Sequence, residues 1–194
     1  QLGMMLAGYA LGCLAVGHYL VRFRTGQDTR RFGSGSAGSA NVSRVLGAPG
    51  YALTLLGDAA KGALAVWTAW YFGLGSTGMM LVTLAVVAGH IWPVQLGFRG
   101  GKGLATTLGA VLVFDYRIAL VAVVAALILL ALLRQPVPSG LLGVATGPGV
   151  AVLVGHEPVI VVGMGVLAVV LFFAHRSNIR QIFREARQQA GESH

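Results

Sequence analysis

Long apolar runs separated by short polar segments recur along the whole chain, and this repetition constrains the fold more than any motif does. The runs lie at 2–21, 50–72, 79–96, 104–114, 118–133, 140–154 and 159–174. A helix crossing the hydrocarbon core needs roughly 20 apolar residues. Barrel strands would instead alternate in segments of about ten residues, a pattern the chain lacks. Only 10% of the 194 residues are charged and 56% are hydrophobic, too few charges to coat a soluble globule. The expectation is an all-α, polytopic membrane protein, a single membrane-embedded domain over 1–194.

Span count follows from charge. Seven spans with the N-terminus outside collect on one side the basic residues of 22–49, 97–103, 134–139 and 175–194. These are Arg22, Arg24, Arg30, Arg31 and Arg44, then Arg99 and Lys102, then Arg134, then Arg176, Arg180, Arg184 and Arg187, twelve of the fourteen Lys and Arg. Fusing 104–133 into one helix through Asp115-Tyr116-Arg117 would leave six spans and send the arginine-rich C-terminus outward, against the positive-inside rule. Seven spans are therefore expected, with a cytoplasmic C-terminus. Leu2–Val21 exceeds a signal-peptide core and follows no basic stretch, so it is expected as a retained first span. The net charge of +8 is spread over several loops rather than one face, which argues against nucleic acid and for topology and lipid headgroups. Cys13 stands alone and is expected to pack.

Phe98-Arg99-Gly100-Gly101-Lys102-Gly103 joins two apolar runs and opens directly onto Leu104. Glycines expose backbone N–H groups, the following helix start adds a positive dipole end and Lys102 adds a full charge, together a phosphate cradle. It is not a Walker loop: the glycine required six residues before the lysine is absent, and Gly103 replaces the magnesium-binding hydroxyl. The run 104–114 spans only about 16 Å at 1.5 Å per residue, so the turn must dip inward, and non-helical backbone at that depth must line a polar cavity or be buried in protein. Glycine pairs Gly8/Gly12 and Gly143/Gly147 are spaced for close helix contact.

A second anion-suited stretch is Gly33-Ser34-Gly35-Ser36-Ala37-Gly38, followed by Asn41 and Arg44. Its match to G-x-G-x-x-G is a decoy, since no βαβ unit surrounds it. Small residues and serines still supply donors, and Arg44 can fork onto a phosphate. Asp58 and Lys61 lie three apart on one helix face, for which a buried ion pair is the plainer reading than catalysis. His90, before a kinking Pro93, is expected to be packed and hydrogen-bonded. In His175-Arg176-Ser177-Asn178, His175 and Asn178 share a helix face and suit hydroxyl and phosphate oxygens.

Taken together, Gly33-Ser34-Gly35 with Asn41 and Arg44, Gly57-Asp58-Ala59-Ala60-Lys61-Gly62, Gly89-His90-Ile91-Trp92-Pro93 leading to Phe98–Thr106, and His175-Arg176-Ser177-Asn178-Ile179 resemble the ordered motifs of the bacterial acyl-phosphate:glycerol-3-phosphate acyltransferases, the PlsY family. Ser36 and Ala40 depart from the family pattern. The resemblance implies seven helices in the bacterial inner membrane, a cytoplasmic-facing site, and acyl transfer from acyl phosphate to glycerol 3-phosphate, giving lysophosphatidic acid and phosphate. Carried onto this chain, it implies catalytic roles for Ser34, Arg44, Lys102, His175 and Asn178, and substrate contacts from Gly33, Gly35, Gly100, Gly101, Gly103 and Ser139. The backbone of Gly100–Gly103 and the Ser34 region would hold acyl phosphate. Arg44, Lys102, His175 and Asn178 would hold glycerol 3-phosphate.

Neither a serine–histidine–acid set nor a metal-ligand cluster stands out, and no cofactor is expected. An acyl phosphate is already activated, so positioning and charge stabilisation suffice, the donor's phosphate taking the glycerol proton; Asp58 or His175 as base stays open. The competing readings are a lipid or organic-phosphate transporter, which would need an outer gate or inverted repeat not found here, and a divergent inactive paralogue.

Overall fold

The computed structural model describes residues 1–191, all-helical with no strand among them. Ten α-helices follow in order: α1 Leu2–Gly12, α2 Val16–Thr25, α3 Ser39–Tyr71, α4 Ser76–Ile91, α5 Leu104–Phe114, α6 Tyr116–Leu133, α7 Pro136–Ala145, α8 Gly147–Val154, α9 Pro158–Ala174 and α10 Arg176–Gly191. Short 3₁₀ turns occupy Thr29–Arg31 and Val94–Leu96.

Four stretches are long and apolar enough to cross a membrane: Leu2–Thr25, Ser76–Leu96, Tyr116–Leu133 and Pro136–Val154. A fifth forms if α9 and the start of α10 are one span bent by 54°. The first stretch is broken at Cys13–Ala15, and the sixth apolar run is broken between α7 and α8 at Thr146, just before Gly147-Pro148.

The short helix expected over 104–114 is present as α5 and is not fused to α6. Asp115 interrupts them with extended backbone, φ −156° and ψ 108°, and its side chain caps α6 by accepting from the Arg117 N–H. Other boundaries differ from expectation. The segment 22–49 is not a plain loop: α2 runs on to Thr25, Asp28 caps the turn Thr29–Arg31, and α3 starts at Ser39. Gly47, at φ 65° and ψ −160°, breaks α3 just before Pro49, so an eight-residue piece, 39–46, precedes the apolar run. The turn at 134–139 shrinks to Arg134-Gln135 because Pro136 starts α7, where its missing N–H costs nothing. The tail 175–194 is α10 as far as described, and residues 192–194 lie outside the described residues.

Close helix crossings position the site. A Cβ on Gly62 would run into the Thr106 carbonyl and one on Gly109 into the Ala59 carbonyl, so α3 and α5 meet backbone to backbone. Gly12 and Gly89 make the same close crossing between α1 and α4, and Gly143 meets the Ala122 carbonyl of α6. Gly147 has only ordinary contacts, so of the two expected pairs Gly8/Gly12 is a true interface and Gly143/Gly147 is half of one. Met80, Val82, Val86, Ile160, Leu167 and Leu171 are almost fully buried in the core, Met80 against Gly163 of α9 and Val82 against Gly8 of α1, while α6 keeps Leu120, Val124, Leu127 and Ile128 exposed on the outside of the bundle.

Candidate active site

A cavity of about 300 Å³ opens where the starts of α3, α5, α7 and α10 meet. Its polar wall is made by Ser34, Ser36, Arg44, Lys102, His175 and Asn178, with Asp58 and His90 deeper in the bundle. Tyr51, Leu55, Leu104, Pro136 and Val137 supply an apolar wall.

Two helix N-termini point at this cavity. Gly38 caps α3 and Gly103 caps α5, and both caps line the space together with Ser39, Ala40, Leu104 and Ala105. First-turn N–H groups have no partner within their own helix, and the dipole ends are positive. Gly103 has φ +90°, a conformation an L side chain resists, and a Cβ there would also press on Leu171 and Ile91.

The loop before α3 is held by Asn41, which is 2% exposed. Its Oδ1 accepts from the Ser34 N–H at 3.0 Å, and its amide donates to the carbonyls of Thr29 and Ser36, both at 2.9 Å. The Ser34 and Ser36 hydroxyls are 3.2 Å apart at the cavity edge. Gly33 and Gly35, at φ 49° and 68°, turn this loop without lining the cavity, and a Cβ on Gly33 would collide with Asn41 and Arg44. Asp28 grips Arg30, and Arg30 donates on to the Leu96 carbonyl, so the loop is tied to the segment leading into the glycine turn. The Arg30 guanidinium holds the Asp28 carboxyl well below the usual carboxylate range.

Across the cavity, Lys102 donates to Oδ1 of Asn178. Burial, then the charge of Arg44, pushes the Lys102 ammonium below its ordinary pKa. His175 is 3% exposed; its Nδ1 lies 2.9 Å from the Leu171 carbonyl, which only accepts, so Nδ1 carries the proton and Nε2 is left as an acceptor.

Two expectations about donors are corrected. The N–H groups of Gly100 and Gly101 are already used, donating to the carbonyls of Ile91 at 3.0 Å and His90 at 3.1 Å, so these glycines shape the turn and do not cradle an anion. Ser139 lies inside α7, is 1% exposed and donates its hydroxyl to the Gln135 carbonyl, so it does not line the cavity. Ser34, Arg44, Lys102, Gly103, His175 and Asn178 do converge. Reading the chain by motif missed Tyr51 and Leu55; with Asp58 they recur at i, i+4 and i+7, one helix face, which is the signal that was available.

An apolar helical bundle whose pocket bears two cations, two helix N-termini and an apolar wall defines an integral membrane protein with a pocket that is cationic on one side and apolar on the other. A family model, glycerol-3-phosphate acyltransferase, matches residues 2–185. The chain belongs to the glycerol-3-phosphate acyltransferase family. It is 44% identical over 189 residues to glycerol-3-phosphate acyltransferase 1 of Desulfitobacterium hafniense, covering 97% of this chain and 94% of the relative. It is 38% identical to the glycerol-3-phosphate acyltransferase of Methylobacillus flagellatus, covering 92% and 91%. In structure it is similar to crystal structures of PlsY (YgiH), an integral membrane glycerol 3-phosphate acyltransferase. The glycerol 3-phosphate form matches with TM-score 0.88 and 29% identity, and the lysophosphatidic acid form with TM-score 0.85 and 27% identity; each match covers 95% of this chain and 92% of the other.

Proposed function

We propose that this protein is a membrane glycerol-3-phosphate acyltransferase that uses acyl phosphate as donor and releases lysophosphatidic acid and inorganic phosphate. The observation that carries this reading is the cavity itself, in which Arg44, Lys102 and two helix N-termini face an apolar wall of Tyr51, Leu55, Leu104 and Val137. Both substrates are phosphates and one bears a fatty chain, which matches that division. The chain crosses the bacterial cytoplasmic membrane seven times, the short α5 and the apolar part of α3 completing the five longer segments, with the N-terminus outside and the cavity open to the cytoplasm.

In this reading the first-turn N–H groups of α5, beyond Gly103, and the Ser34 region hold the acyl phosphate. Arg44, Lys102 and Asn178 hold glycerol 3-phosphate, with His175 Nε2 accepting from a glycerol hydroxyl. The other hydroxyl oxygen of the glycerol attacks the acyl carbonyl, an ester C–O bond forms, and the carbonyl–phosphate C–O bond breaks. The hydroxyl proton passes to the departing phosphate. The cationic wall stabilises charge gathering on that phosphate, so alignment and electrostatics supply the rate.

The test is direct. Purified protein is mixed with palmitoyl phosphate and glycerol 3-phosphate, with palmitoyl coenzyme A as the competing donor, and lysophosphatidic acid and phosphate are followed. Equal yields of both products from acyl phosphate are expected. Lysophosphatidic acid from the thioester alone would reject the donor assignment, and none from either donor with folded protein would reject the activity.

A further inference from the structure

Asp58 and Lys61 on α3 and His90 on α4 are buried together, 2%, 5% and 4% exposed. Lys61 Nζ is 2.9 Å from Asp58 Oδ1 and 2.8 Å from His90 Nδ1, and it donates at 2.7 Å to the Leu14 carbonyl in the break between α1 and α2. His90 Nδ1 is 3.5 Å from the same Asp58 oxygen. The ammonium hydrogen-bonds to the Leu14 carbonyl and His90 and pairs by charge with Asp58, and because it has no acceptor, His90 Nδ1 is the accepting nitrogen. Lys61 thus ties α3, α4 and the break between α1 and α2 together at one point.

The glycine turn is built on His90. The His90 and Ile91 carbonyls accept from the Gly101 and Gly100 N–H groups, and the Gly100 carbonyl accepts from the Ala37 N–H of the serine loop, at 3.1 Å. A Cβ on Gly101 would run into the His90 imidazole, so the turn rests directly on that ring. Any displacement of His90 therefore moves Gly100 and Gly101, and with them Lys102, the next residue. A buried ion pair adds little net stability over apolar packing but does impose a geometry.

We propose that Asp58, Lys61 and His90 are positioning residues: a buried unit, centred on Lys61, that sets where the glycine turn holds Lys102 and the start of α5 against the anionic substrates. This rests on the reading of the cavity as the acyl-transfer site. The unit acts through the turn and not on the reacting atoms, so it governs affinity more than turnover.

The experiment uses the full-length enzyme in detergent. Lys61→Met leaves a carboxylate buried and unpaired, so the Asp58→Asn/Lys61→Met variant, which removes both charges at similar volume, carries the same test in a folded background. KM for glycerol 3-phosphate is expected to rise about tenfold or more with kcat within about threefold of the parent. Hydrogen exchange at the Gly100 and Gly101 amides is expected to accelerate about tenfold while α9 amides keep their rates. His90→Asn, which keeps an acceptor near the Nδ1 position, is expected to retain most of the affinity that His90→Leu loses. Unchanged exchange at the turn overturns the positioning unit. Faster exchange with unchanged KM instead shows that the turn does not hold substrate, which overturns the site reading and the proposal with it. A loss confined to kcat assigns the group to chemistry and also overturns it.

Discussion

Lys102, leaving the glycine turn, donates to Oδ1 of Asn178 on the first turn of α10, joining residues 76 apart in sequence across the cavity. The contact arranges a cation that burial has already destabilised. Lys102→Ala is expected to lower kcat/KM tenfold to a hundredfold or more, the loss of a charge-assisted contact of about 1.5–3 kcal/mol. Asn178→Ala should act in the same direction, and the double variant should fall short of the product of the two single losses, because the two side chains work as one unit. Lys102→Arg should rescue only in part, a planar fork replacing a compact ammonium. Steady-state kinetics on the four proteins check this.

The depressed pKa of Lys102 has a pH consequence of definite sign. The group is charged below its pKa and loses its charge above it, and burial with Arg44 nearby brings that loss to a lower pH than for free lysine. KM for glycerol 3-phosphate should therefore rise on the alkaline side at a lower pH than the titration of a free lysine would set. The Lys102→Arg protein, charged throughout, should show a flat KM over the same range. A rise of equal size in both would assign the effect to another group.

Arg44 stands exposed at the cavity rim, on the eight-residue piece of α3. Arg44→Ala should cost tenfold to a hundredfold in kcat/KM, about 1.5–3 kcal/mol, while leaving thermal stability nearly unchanged. Arg44→Lys should recover less than half of that loss in free energy, since a single point charge replaces a bidentate clamp. Product assays and a thermal melt on the same preparations separate the two readouts.

At the opposite end of the bundle Asp115 caps α6, grips Arg117 at 2.7 Å and meets His156 Nε2 at 2.9 Å. The Arg117 guanidinium lowers its carboxyl to about 2. A lowered folded pKa stabilises above the ordinary carboxylate value, and that stability is lost as pH falls toward about 2. Between pH 6 and pH 2.5 the parent should lose more thermal stability than Asp115→Asn. Asp115→Ala should already be destabilised at pH 6 by about 0.5–2 kcal/mol, the usual cost of a lost helix cap.

Orientation is testable by cysteine labelling after replacing the buried native Cys13. Ala40 and Gln135 are exposed near the cavity end, and Ser76 and Glu157 are exposed at the loops on the other end. Cysteines at 40 and 135 should react with an impermeant reagent only from the cytoplasmic side, and those at 76 and 157 only from outside. Labelling of 135 from outside would reject the seven-crossing arrangement. Ser139 and Ser193, otherwise natural choices, are unsuitable: the first is buried in α7 and the second lies outside the described residues.

Much of this protein is legible in its sequence alone. Apolar runs of bilayer length dictate helices because unpaired backbone cannot sit in lipid, and the run 104–114 declared its own shortness between a glycine turn and Asp115. The donors Ser34, Arg44, Lys102, His175 and Asn178 were identifiable from residue chemistry and motif order, and the structure brings all five to one cavity. Other features belong to the tertiary structure. Whether a glycine cradles an anion or shapes a turn depends on where its N–H points, and those of Gly100 and Gly101 point at the carbonyls of α4. Whether Ser139 faces a cavity depends on where α7 begins, which Pro136 sets. The joining of Lys61 to Leu14 and His90, and of two helix N-termini into one wall, rests on close crossings such as Gly62 on Thr106 and Gly12 on Gly89. Side-chain spacing along one helix reports that helix's own faces, while contacts between helices far apart in sequence are decided by how closely their backbones approach.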